Sequence, residues 1–134
     1  RLLAAKRAKK VYGVELNESA INNAKKNAKL NSIENIDFFE ADASDFIKGL
    51  VEENYPVDII FLDPPRSGSD KKFLSSVVQL KPKKVIYISC NPETQKRDIK
   101  YLTKHNYKVK EIQPVDLFPQ TYHVENICLL EKTD

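Results

Sequence analysis

The stretch VIYISCNPETQKRDI, residues 85–99, decides the fold. Its first half alternates β-branched and aromatic residues and reads as a strand. That strand stops at Cys90, and a helix opens with Asn91, Pro92 and Glu93. Working outward, the same strand-then-helix unit recurs. "VYGVEL" (11–16) is a short strand, after which Asn17 caps a helix reaching Leu30, with Ile21, Ala24 and Ala28 on one face. "IDFFEAD" (36–42) is a second strand, and Phe46, Ile47, Leu50 and Val51 follow at helical spacing. "VDIIFLDPP" (57–65) is a near-continuous apolar run, the pattern of a strand covered on both faces. Phe73, Leu74, Val77, Val78 and Leu80 mark the next helix, "KVIYISC" the fourth strand, and Pro92 to about His105 the helix after it. The chain closes with "YKVKEIQPVDLF" (107–118) and "HVENICLLEK" (123–132), two strands without an intervening helix. The expectation is an α/β fold with a mostly parallel, doubly wound sheet and a C-terminal antiparallel hairpin at one edge.

Composition sets the outer limits. The 134 residues make at most one domain, large enough to bury a core. Two widely separated cysteines form neither a disulfide framework nor a zinc pattern, which fits a reducing, cytoplasmic compartment. No apolar run has the length of a membrane span, and no signal-peptide pattern opens the chain. The net charge of +3 is compatible with a polyanionic partner without requiring one. The lysine pairs at 9–10, 25–26, 71–72 and 83–84 read mainly as solvated helix faces and strand flanks. "RLLAAKRAKK" (1–10) reads as the tail of a helix with basic residues in its last turn, so the chain is expected to lie within a larger protein.

In a doubly wound sheet, ligands bind beyond the carboxyl ends of the strands. Those ends read Glu15, Asp42, Asp63-Pro64-Pro65-Arg66 and Cys90. A carboxylate at Glu15 suits the two hydroxyls of a ribose, in NAD as well as in S-adenosylmethionine, and equally suits plain solvation beside a helix N-terminus. Asp42 can meet an adenine or cap the helix beginning near Ala43; residue chemistry favours the cap. Pro64 and Pro65 stiffen the strand exit and present Asp63 on a rigid support. Enzymes that methylate exocyclic amines often carry an aromatic after such an Asp-Pro-Pro. Here Arg66 takes that place, which suits a phosphate or carboxylate partner better than a stacked base.

Cys90, at a strand end and near a helix N-terminus, is a candidate nucleophile, because the positive end of a helix favours the thiolate. The competing reading is a small hydrophobe closing a strand, and Cys128, between Ile127 and Leu129, fits that description well. Glu125 becomes a candidate proton acceptor if the hairpin brings it to the rim; a solvated strand-edge acid is the alternative. His123, alone in a connection, carries no assignment.

Taken together, "FLDPPRSG", "YISCNPETQKRDI" and "PVDLFPQTYHVENICLLEK" resemble the RNA uracil-5 methyltransferase family, in that family's order and over essentially the whole chain. The resemblance implies a Rossmann-like, S-adenosylmethionine-dependent enzyme making 5-methyluridine in tRNA or 23S ribosomal RNA. It implies Cys90 as nucleophile and Glu125 as general base. It matches Glu15, Asp42 and Asp63 to cofactor-binding acids; no metal is implied. Arg66, by its own chemistry, is the candidate substrate contact, to the RNA backbone. The family's glycine-rich loop has no counterpart among Gly13, Gly49 and Gly68. The resemblance therefore implies a partial domain that lacks the first strand, the RNA-binding modules and any upstream iron–sulfur cluster. Loss of a strand between 11–16 and 57–65 is expected to leave backbone unpaired or to force those two strands together, with oligomerisation through the gap as one outcome. On its own such a chain is expected to bind cofactor poorly. An amine-directed methyltransferase and a non-catalytic RNA- or protein-binding α/β module are the competing functions.

Overall fold

The computed structural model describes residues 2–117 and 119–134. The expected end of the penultimate strand at Phe118, and Arg1 of the opening helix, lie outside the described residues. The chain divides into two compact units, residues 1–46 and 47–134.

The first unit holds α1 (Leu2–Ala5), β1 (Val11–Glu15), α2 (Glu18–Leu30), β2 (Ile36–Glu40) and the start of α3 (Ala43–Glu52). β1 and β2 pair in parallel, from Val11 opposite Ile36 to Glu15 opposite Glu40. Gly13 is needed there: a Cβ would come within 2.7 Å of the Phe38 ring. Asn17 caps α2 as its chemistry predicts, its side chain accepting from the Ala20 N–H at 3.0 Å. Ile21 and Ala28 form the buried face of α2. The side chain of Asn35 donates to the carbonyls of Ala5 and Ala8, tying the short α1 to the turn before β2. The lysines expected in the last turn of the opening helix instead follow its end.

The second unit holds β3 (Ile59–Leu62), α4 (Lys71–Leu80), β4 (Lys84–Ser89), α5 (Pro92–Thr103), β5 (Tyr107–Val115) and β6 (Glu125–Lys132). Its sheet has the order β3-β4-β6-β5. β3 and β4 run parallel, and β6 enters antiparallel between β4 and β5, which places the hairpin at one edge as expected. One face of this sheet is sealed: Leu62, Val85, Tyr87, Cys128 and Leu130 form the core with Leu74, Val77 and Leu102 of α4 and α5. Burying these side chains, at ~25 cal/mol per Å² of apolar surface, is what orders the unit.

Two expectations need amendment. β3 is covered on one face only: Ile59 and Phe61 remain 47% and 50% exposed, while Leu62 is buried. Its unbroken apolar run records that both faces are apolar, but α4 and α5 reach one of them. Second, the strands form a two-stranded and a four-stranded sheet rather than one: β1 pairs with β2, and β3 with β4.

Candidate functional site

The second unit assembles four of the sequence-predicted residues around the carboxyl ends of β3 and β4. Cys90 leaves β4 immediately after Ser89, and Ser89 is the register partner of Asn126 on β6. Because that ladder is antiparallel, Cys90 and Glu125 are the next residues past its last pair. Cys90 is partly exposed, whereas Cys128 is fully buried, with its thiol pushed up to about 11 by desolvation. The two cysteines thus have different characters: one is open to a reagent, the other is packing.

The backbone around Cys90 is held from both sides. Ser89 Oγ donates to the Asn91 carbonyl and accepts from the Asn91 N–H, both at 3.0 Å. Asn91 caps α5, its Oδ1 accepting from the Glu93 N–H, and Pro92 occupies the first helical turn, where its missing N–H costs nothing. The thiol-bearing residue therefore immediately precedes the helix cap.

Asp63 and Arg66 are exposed on the loop that follows β3, and this loop is fastened to α5. The Arg66 carbonyl accepts from Asn91 Nδ2 and Thr94 Oγ1, each at 3.0 Å. Gly68, at φ +79°, makes the turn; a Cβ there would meet Arg97 Nη2 at 2.6 Å and Asp98 Oδ2 at 2.7 Å. Beneath the loop, the buried Asp98 accepts from Tyr87 Oη at 2.6 Å, Ser69 N–H at 2.7 Å and Arg97 Nε at 2.9 Å. Burial, and then the hydrogen bond to Asp98, raises the Tyr87 phenol far above its ordinary value, so it remains a donor at any physiological pH.

Glu15 and Asp42 belong to the first unit, at neighbouring strand ends: the Ala41 N–H donates to the Glu15 carbonyl at 3.1 Å. Glu15 Oε1 accepts from the Asn17 N–H at 3.1 Å. Asp42 Oδ1 accepts from the N–H groups of Ser44 and Asp45, which makes it the N-terminal cap of α3, as its chemistry favoured. His123 is exposed in the β5–β6 connection. Among the described residues, no cluster of three or more His, Cys, Asp or Glu is arranged to hold a metal ion, and no helix is long and apolar enough to cross a membrane.

Sequence reasoning missed Gln95, Asp98 and Asn126. The signal for the first two was available: residues 95, 98 and 102 share one helical face, and two of the three are polar.

Solved methyltransferases share this α/β arrangement. An rRNA methylase from Streptococcus thermophilus superposes with a TM-score of 0.73 over 99% of this chain and 79% of its own, at 14% identity, a likeness of fold alone. The particular family follows from sequence. The profile of the tRNA (uracil-5-)-methyltransferase family matches residues 1–133, and the chain belongs to that family. An uncharacterized RNA methyltransferase of Enterococcus faecalis is 46% identical over 98% of this chain, and one of Caldanaerobacter subterraneus subsp. tengcongensis is 43% identical over the same share. The chain spans 29% of the length of each. The tRNA (uracil-54, C5)-methyltransferase of Pyrococcus abyssi, solved with S-adenosyl-L-homocysteine, is 32% identical, with a TM-score of 0.79 over 96% of this chain and 30% of its own.

Proposed function

We propose that the longer protein carrying this chain transfers a methyl group from S-adenosylmethionine to C5 of a uridine in tRNA or ribosomal RNA. Cys90 is the nucleophile and Glu125 the general base. The observation that supports this reading is the register of β4 against β6: its last pair is Ser89–Asn126, the partly exposed Cys90 follows Ser89, and Glu125 precedes Asn126.

The chemistry needs this pairing. C5 of uracil is too weak a carbon nucleophile to be methylated directly. Addition of Cys90 Sγ to C6 moves the C5–C6 π pair onto an enolate, and C5 then attacks the methyl group. When bound, S-adenosylmethionine supplies that methyl on a sulfonium. Glu125 next removes the C5 proton, the double bond re-forms and the thiolate is expelled, leaving 5-methyluridine. Cysteine suits a reversible addition because it is both a good nucleophile and an acceptable leaving group.

The acids fit the cofactor in donor and acceptor terms. Ribose hydroxyls, an adenine amine and an ammonium group are hydrogen-bond donors, and Glu15, Asp42 and Asp63 offer carboxylate acceptors at strand ends. Asp42 Oδ1 and Glu15 Oε1 each already accept from backbone N–H groups. Arg66, exposed on a pinned loop, meets an RNA phosphate. A stacked uridine cannot reach Cys90, so the target base is looped or flipped out.

The test is methyl transfer by the full-length protein to unmodified RNA, with the product nucleoside identified by mass spectrometry. Cys90→Ala should lower turnover by at least about a thousandfold. An amine-directed enzyme would retain activity in that variant, and an N-methylated product would refute the reading. The 134-residue chain alone should bind S-adenosylmethionine weakly, and calorimetry showing micromolar affinity would contradict that expectation.

A further inference from the structure

Gln95 is a buried, uncharged polar residue that the proposed chemistry does not use, and only 1% of it is exposed. Its Nε2 donates to the Tyr87 carbonyl at 3.1 Å and to the Asn126 carbonyl at 3.0 Å. Its Oε1 accepts from Asn126 Nδ2 at 2.6 Å. Two carbonyls can be satisfied only by the amide's nitrogen, so the orientation of the side chain is fixed by its partners. Gln95 lies one turn into α5, whose cap follows Cys90, and Asn126 follows Glu125. The three hydrogen bonds therefore tie the helix behind the thiol to the strand that carries the acid.

Thiol and acid have different supports. Cys90 sits in a backbone fixed by Ser89, by the Asn91 cap and, through Asn91, by the carbonyl of Arg66. Glu125 begins β6 directly after an exposed connection in which Tyr122 is fully solvated; its backbone is in register with Val115 of β5, and the next residue, Asn126, with Ser89 of β4. Among the described side chains, Gln95 is the one that bonds from α5 to the start of β6. A buried amide costs more to desolvate than a leucine of similar volume, so its presence is explained better by positioning than by stability.

We propose that Gln95 and Asn126 form a clasp that positions the Glu125 carboxylate, and that it governs removal of the C5 proton rather than addition of the thiol. The inference rests on the proposed function, and it separates two steps which that function does not distinguish. Misplacing a base by about 1 Å costs on the order of a hundredfold, while the Cys90 backbone keeps its own supports.

The experiment uses the full-length protein with Gln95→Leu, which keeps the volume and removes the amide, and Asn126→Ala, at a partly exposed site where folding is less at risk. Two rates are followed. Adduct formation is measured with RNA containing 5-fluorouridine, where no proton can leave. Proton removal is measured as tritium release from RNA carrying 5-tritiated uridine. Both variants should release tritium about 10- to 100-fold more slowly than wild type and form the fluorinated adduct within about threefold of the wild-type rate. On ordinary RNA the covalent enzyme–RNA species should accumulate. Equal slowing of both rates, or no change in tritium release, would overturn the clasp. Failure of the wild-type protein to form the fluorinated adduct would instead overturn the underlying uracil chemistry.

Discussion

Replacing Asp98 should loosen the whole Asp63–Ser69 loop, though Asp98 lies outside that loop. Its carboxylate is 1% exposed and gathers donors from β4, the loop and α5. In Asp98→Ala the Tyr87 hydroxyl loses its acceptor inside the core, at a cost of about 1–3 kcal/mol. The Ser69 N–H loses a charged acceptor, worth about 1.5–3 kcal/mol in full and less here because the group is only partly buried. Arg97, with a side chain 58% exposed, can turn to water and adds little. The sum is about 3–4 kcal/mol, against roughly 1–2 kcal/mol for Tyr87→Phe, which leaves the carboxylate its other partners. Native-state hydrogen exchange at the Gly68 amide reports the effect, because that N–H keeps its own acceptor, the Pro65 carbonyl at 2.8 Å. Protection there should fall by at least about a hundredfold in Asp98→Ala. A change of less than threefold, with the protein still folded, would refute the claim that the carboxylate pins the loop.

Gly68→Ala, at φ +79° and with its Cβ position 2.6 Å from the Arg97 guanidinium, should cost about 2–3 kcal/mol in thermal unfolding. Alkylation of the native protein should modify Cys90 and spare the fully buried Cys128 until unfolding, as read by peptide mass spectrometry. Burial raises Tyr107 to about 12 from 10.0, so the folded state holds that proton more tightly than the unfolded chain. Its contribution is complete below pH 10 and is lost as the pH climbs to 12; the two-unit shift makes this up to about 3 kcal/mol, and Tyr107→Phe should flatten the stability curve in that window.

Much of this architecture was legible in the chain because its punctuation is chemical. Asn17 and Asn91 both cap helices where an amide side chain followed by helix-forming residues says they should. The strands alternate or run apolar as their burial requires, and the absence of a helix between residues 107 and 132 correctly implied a hairpin. The sequence could not say which apolar faces would be covered. Ile59 and Phe61 look like core residues in a string of letters, because hydrophobicity does not say which face the helices cover. The cap at Asp70, which accepts from the Phe73 N–H, was hidden in a loop rich in other polar residues.

At the site, the residue types were readable but their linkage was not. Cys90 and Glu125 are far apart in the chain, and only the Ser89–Asn126 register brings the strand ends that carry them side by side. Gln95 and Asp98 share a helical face with Leu102, so spacing hinted at burial, but their partners were not legible: Tyr87 and Asn126 arrive from two different strands.

The proposed reaction passes through a covalent bond to Cys90. Full-length protein incubated with 5-fluorouridine RNA and S-adenosylmethionine, then denatured and digested, should yield one peptide carrying a methylated fluoropyrimidine on the sulfur of Cys90. Methylation of ordinary RNA at C5 with no adduct on that peptide, or with undiminished activity in Cys90→Ala, would contradict it.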